Sequence, residues 1–160
     1  MNNKFQPMLK TNSLRVTLIF SIIFLLSFTS ERSLTGGLTD DVLKYTNQFR
    51  KSKGLKALEM RDDLNTIARK HSEDMASGRC SFGHDGYNGR VSKVKKMIKP
   101  SDGYVGENVA YGAHNGKEAF DIWKNSSGHR KNMLGDYKYI GIGTASNRRG
   151  VIYYTQIFVR

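Results

Sequence analysis

The chain has 160 residues, a formal net charge of +12 and a single cysteine, Cys80. That length fits one domain, and one cysteine excludes a disulfide within the chain, so the fold must rest on an apolar core. The positive balance favours anionic partners such as cell-wall polymers, acidic glycans or membrane surfaces, but no nucleic-acid-binding motif accompanies it.

Residues 1–15 carry Lys4, Lys10 and Arg15 and no acidic residue, and Val16 to Phe28 is almost wholly apolar. As a helix that run would span ~20 Å, short of a ~30 Å bilayer core. A basic start, a short apolar run and small residues at Ser27, Thr29 and Ser30 read as a secretory signal peptide over 1–30. The alternative is an uncleaved signal anchor that tethers the domain to a membrane. Residues 31–37 read as a flexible lead-in and 38–160 as the folded domain. Without its three leader cations the chain keeps a net charge of +9.

In the folded part, Thr39 reads as the N-cap of a helix over 40–53, with Val42, Leu43, Thr46 and Phe49 at helical spacing. Asp62 and Asp63 open a second helix, whose apolar stripe takes in Leu64, Ile67, Ala68, His71 and Met75, and Gly78 ends it. A histidine on such a stripe reads as a hydrogen-bonded core residue. A glycine-rich loop containing His84 follows, then a short helix from Arg90 to Ile98. Tyr104 to Gly112 is β-prone. Gly116 to Asn125 is helical, with Ala119, Phe120 and Trp123 on one side. Ser126 or Ser127 reads as the cap of a short helix that starts near Gly128. Tyr139–Thr144 and Val151–Val159 flank an Asn147–Gly150 turn and form a hairpin. Helices in front and strands behind give an α+β fold, with helices packed on a small antiparallel sheet.

Four separated signals carry more information than any one alone. They are Phe-Gly-His at 82–84, Gly-Glu-Asn at 106–108, Trp-x-x-Ser-x-Gly-His-Arg-x-Asn at 123–132 and Tyr-Thr-Gln-x-Phe at 154–158. In this order and spacing the chain resembles the CAP superfamily, or SCP domain: cysteine-rich secretory proteins, antigen 5 allergens and plant pathogenesis-related protein 1. With one cysteine it is most similar to compact, disulfide-poor bacterial members. The resemblance implies a three-layer α-β-α sandwich and a shallow cleft where two histidines and two acidic residues meet in many members, binding zinc in some.

His84 and Glu107 occupy two of those four positions. The second glutamate falls at Ser126 and the second histidine at Tyr153, so the full set is absent. His129 borders the expected cleft. His84, Glu107 and His129 are a candidate zinc-ligand set, although spacings of 23 and 22 residues enforce no local geometry. The alternative is a hydrogen-bonded cluster around a partnered carboxylate. A nucleophile–base pairing of Ser126 or Ser127 with His129 lacks the Gly-x-Ser-x-Gly elbow. The resemblance implies a secreted, monomeric protein with a non-enzymatic binding role in defence, host interaction or signalling. Its alternatives are a divalent-metal-dependent hydrolase and a lipid or sterol binder, with Tyr87, Tyr104, Tyr111 and Trp123 as groove candidates; an anionic polymer is a further possible partner.

Overall fold

The computed structural model describes residues 37–98 and 104–160. The signal-peptide reading of 1–30 and nearly all of the lead-in lie outside the described residues. The elements run α1 (37–52), β1 (Glu59–Met60), α2 (Asp62–Ala76), α3 (Tyr87–Met97), β2 (Val105–Tyr111), α4 (Gly116–Asn125), α5 (Ser127–Met133), β3 (Tyr139–Ser146) and β4 (Ile152–Val159). The strands form one sheet in the order β1-β3-β4-β2. β2, β3 and β4 are antiparallel neighbours, as expected, and the two-residue β1 adds a short parallel pairing to β3.

Each face of the sheet carries its own core. On one face Val42 of α1, Phe120 and Trp123 of α4 and Met133 of α5 pack on Ile140, Ile142, Tyr154 and Phe158. On the other, Leu64 and Ala68 of α2 and Val94 of α3 pack with Ile157 and Val159. This is the three-layer α-β-α arrangement, and period-2 alternation in β3 explains it. Ile140 and Ile142 point to the first face. Gly141 and Gly143 lie on the second, where a Cβ would overlap the backbone of α2 at Leu64 and Arg69. Two glycines therefore let a helix lie directly on a strand.

Local chemistry sets the element ends. α1 is already helical at 37, so Thr39 lies within the helix and is not its N-cap. In α4 the Asn115 side chain accepts from the Glu118 amide at 2.9 Å, while the Glu118 carboxylate accepts from the His114 amide at 2.8 Å. This reciprocal arrangement satisfies helix-end donors much as a capping box does. The β3–β4 turn is set by Asn147, whose side-chain oxygen accepts from the Arg149 and Val151 amides, and by Gly150 at φ 76°. Trp123, a groove candidate by sequence, is fully buried and donates its indole N–H to the Val109 carbonyl at 3.1 Å.

Candidate functional site

The site is built around Glu107, in the middle of β2. Its side chain is 2% exposed, and an ionised carboxylate at that depth needs partners. Arg90 of α3 supplies a bidentate pair, Nε to Oε2 at 2.6 Å and Nη2 to Oε1 at 2.7 Å. His84, in the loop before α3, donates from Nδ1 to Oε1 at 2.8 Å. His71 of α2 stands behind them, its Nε2 3.9 Å from Oε1, and donates to the Gly83 carbonyl at 2.8 Å. Burial holds the His71 imidazole below its ordinary pKa, and the Arg90 charge pushes the same way. The cluster therefore has one buried carboxylate faced by a guanidinium and two imidazoles.

The residues beside Glu107 give the Gly-Glu-Asn motif its physical reasons. A Cβ at Gly106 would collide with the Tyr137 hydroxyl. Asn108 is fully buried on the opposite face of the sheet, where its amide donates to the His129 carbonyl and to Gln156 Oε1, each at 3.1 Å. Its oxygen accepts from Asn132 at 2.9 Å, and Asn132 also donates to the Glu107 carbonyl at 3.0 Å. Gln156 continues the chain to Thr46 of α1 at 3.1 Å. Three motifs distant in sequence thus meet as one buried amide network.

An open cleft of about 410 Å³ runs past this cluster, lined by His84, Tyr87, Tyr104, Glu107, Asn132 and Tyr137 among others. Tyr104 stacks on Tyr137 with ring centroids 5.4 Å apart, and the Tyr87 hydroxyl donates to the Val105 carbonyl at 2.6 Å. Burial, reinforced by Tyr104, raises the Tyr137 phenol to about 12, so it stays protonated.

The residues read from the sequence distribute unevenly. His84 and Glu107 meet directly. His129 sits on α5 with its backbone carbonyl in the amide network and its Nδ1 buried without a partner. Ser126 occupies the N-cap position of α5, but its hydroxyl makes no capping bond, contrary to expectation. Neither Ser126 nor Ser127 bonds to His129, so no nucleophile–base pair forms. Tyr153 pairs with Tyr111 four residues along the strands from Glu107, and stacks on that ring at 5.7 Å beside Phe82. Cys80 is half-buried and its thiol is pushed up, mainly by burial, which disfavours the thiolate.

Of the candidate zinc set, His84 and Glu107 are in contact, and His129 is hydrogen-bonded to neither. Among the described residues no three His, Cys, Asp or Glu side chains converge on a point that could hold a metal ion. Both oxygens of Glu107 are engaged by Arg90, and a divalent cation placed there would face the guanidinium charge. Sequence reading missed Arg90, placed only as a helix start, and His71, placed only in the core.

Comparison with known proteins places the chain. The profile described as CAP, cysteine-rich secretory protein family, matches residues 43–158. The chain is 36% identical over 127 residues to the uncharacterised membrane protein YlbC of Bacillus subtilis (strain 168), covering 74% of this chain and 33% of that protein. It is 30% identical over 128 residues to the human Golgi-associated plant pathogenesis-related protein 1, covering 69% of this chain and 75% of the relative. Among solved structures, an extracellular SCP-domain protein from Bacillus anthracis str. Ames superposes with a TM-score of 0.69 at 28% identity, covering 81% of this chain and 42% of that one. The chain thus spans between a third and a half of the length of the Bacillus proteins it matches. With its motifs in order, its two-core sandwich and Glu107 at the cleft, the chain belongs to the CAP (cysteine-rich secretory protein) family.

Proposed function

We propose that this protein acts outside the cell as a non-enzymatic recognition domain whose cleft binds a polar ligand. The observation that carries this reading is the bidentate Arg90–Glu107 pair. A general base needs a free lone pair on a reacting proton, and a metal site needs an uncommitted carboxylate. Glu107 is largely committed: three of its roughly four acceptor positions are taken by Arg90 and His84, which tie α3 and the His84 loop to the sheet. What the cleft does present is recognition chemistry: tyrosine rings and hydroxyls, one amide and the half-exposed His84 imidazole. A cleft of this size suits a small ligand or a short stretch of a longer one.

The leader-like residues 1–30 support an extracellular site of action, as does similarity to a protein described as extracellular. Similarity to a membrane protein supports the variant in which the leader stays as a tether. Among the described residues no helix is long and apolar enough to cross a membrane.

The test combines calorimetry and NMR on the purified protein. Zinc titration is expected to give no stoichiometric micromolar binding, and peptidase and glycosidase substrates no turnover with or without zinc. Short peptides and oligosaccharides are then screened by amide shift mapping, with shifts expected at His84, Tyr104, Asn132 and Tyr137. Zinc-dependent turnover lost in His84→Ala would overturn the proposal in favour of a hydrolase.

A further inference from the structure

A second surface lies on α1 and α4, none of whose residues lines the cleft. Tyr45 and Phe49 of α1 pack against Phe120 of α4, with ring centroids 6.0 and 5.9 Å apart. Four exposed lysines lie over this ridge in two pairs. Lys44 and Lys117 share the Tyr45 ring, their Nζ atoms 5.5 and 6.0 Å from its centroid. Lys53 and Lys124 share the Phe49 ring at 6.0 and 5.7 Å, and Lys124 also covers Phe120 at 5.8 Å. Ring quadrupoles attract the ammonium groups and hold them in place, but two cations drawn to one ring repel each other. Lys117 has a counter-charge in Asp121 at 2.6 Å. Lys44, Lys53 and Lys124 have no carboxylate within ion-pair distance among the described residues.

The spacing constrains what would complete this surface. Lys117 and Lys124 lie seven residues apart, ~10 Å along a helix, and Lys44 and Lys53 nine residues apart, ~13 Å. One phosphate cannot reach both pairs, whereas a chain carrying anionic groups at regular intervals reaches both. The ridge is also flush: Phe120 is buried, and Ile122 is the one large apolar side chain counted as exposed on these two helices among the described residues. A face without protruding aromatics lacks the apolar wedge that anchors proteins at a bilayer interface.

We infer that the lysine-covered aromatic ridge of α1 and α4 is a docking site for an extended linear polyanion with charges at regular intervals, for which a phosphate-bearing chain is the probe. Charge complementarity supplies the affinity, and the rings fix where the charges stand. The site is separate from the cleft and does not depend on its ligand.

Labelled inorganic polyphosphate of a few tens of units is the probe, followed by fluorescence anisotropy against salt. The parent should bind with a steep salt dependence, and Lys53→Gln/Lys124→Gln should weaken binding about tenfold and flatten the slope by one to two ions. Lys93→Gln/Lys95→Gln, which removes the same charge from α3, should change binding less than about twofold on the same scale. Equal losses in the two variants would reduce the effect to diffuse charge and overturn the site. Absence of binding by the parent at low salt, or preference for phosphatidylglycerol vesicles over polyphosphate, would overturn it as well.

Discussion

Arg90 holds both carboxylate oxygens of Glu107 from a helix that begins three residues after His84, so one ion pair closes the loop, the helix and the edge strand β2 together. Glu107 is 2% exposed and Arg90 12%, which puts the pair in a setting where losing one member strands the other. Arg90→Ala is expected to cost about 3–5 kcal/mol in urea unfolding. The double replacement Arg90→Met/Glu107→Leu should cost less than Arg90→Ala alone. A single-variant loss below about 1 kcal/mol would mean that solvent reaches Glu107 and the pair is of the surface kind.

Arg50 is a different case, a buried guanidinium bonded only to carbonyls. It donates to Lys56, Met133, Gly135 and Tyr137, and burial lowers its pKa. It thereby ties the end of α1 to the turn between α5 and β3. Arg50→Met keeps most of the volume but leaves these acceptors without their donor, and a loss of about 3 kcal/mol is expected by thermal or urea unfolding. A melting temperature within a degree of the parent would show that water replaces the guanidinium at no cost.

Gly143 and Gly89 offer a paired test of packing. A Cβ at Gly143 has no room against α2, whereas at Gly89, inside α3, it meets open space. Gly143→Ala should destabilise by at least ~1–3 kcal/mol through overpacking. Gly89→Ala should stabilise by about 0.5–1 kcal/mol through helix propensity. Equal effects at the two positions would contradict the direct helix-on-strand contact.

Acid should weaken the fold before the carboxylates titrate. Burial is the main cause holding the imidazoles of His71 and His129 below their ordinary value of 6.5, and nearby charge adds to it: Arg90 at His71, His84 at His129. Glu107, 3.9 Å away, pulls His71 the other way without reversing the shift. The unfolded chain therefore binds protons that the fold refuses, so this stability is complete above pH ~6.5 and declines as pH falls through that value. The urea midpoint should drop between pH 7.5 and pH 5, and His129→Gln should flatten the drop. A midpoint that rises on acidification would show that the imidazoles are charged in the fold.

The helices and the hairpin were legible because each reports itself locally. Asp62 and Asp63 mark a helix start, Asn147–Gly150 a turn, and the alternation of Tyr139–Thr144 a strand. β1 was not legible, because two residues show no period. The cleft was legible in part. His84 and Glu107 stand in recognisable motifs and do meet. Arg90 carries no local mark, because its role depends on α3 aiming a long side chain 17 residues ahead. The candidate zinc set was not legible for the same reason in reverse, since three residues spread over the chain imply nothing about convergence. Asn108, Asn132 and Gln156 were visible as motif letters, but their structural purpose appears only when three segments come together.

That amide network also protects the chain against its own near-misses. Side chains on a strand alternate faces, so sliding β2 by one residue against β4 would carry Glu107 into the core beneath α4 and α5 and turn Asn108 toward Arg90. Apolar side chains of similar size would resist such a slip less, because they exchange places at modest cost. A buried carboxylate facing Trp123 and a stranded amide would not be tolerated. Asn108 and Glu107, adjacent and pointing opposite ways, therefore act as a two-sided key that rejects mispaired sheets during folding, whatever the cleft binds afterwards.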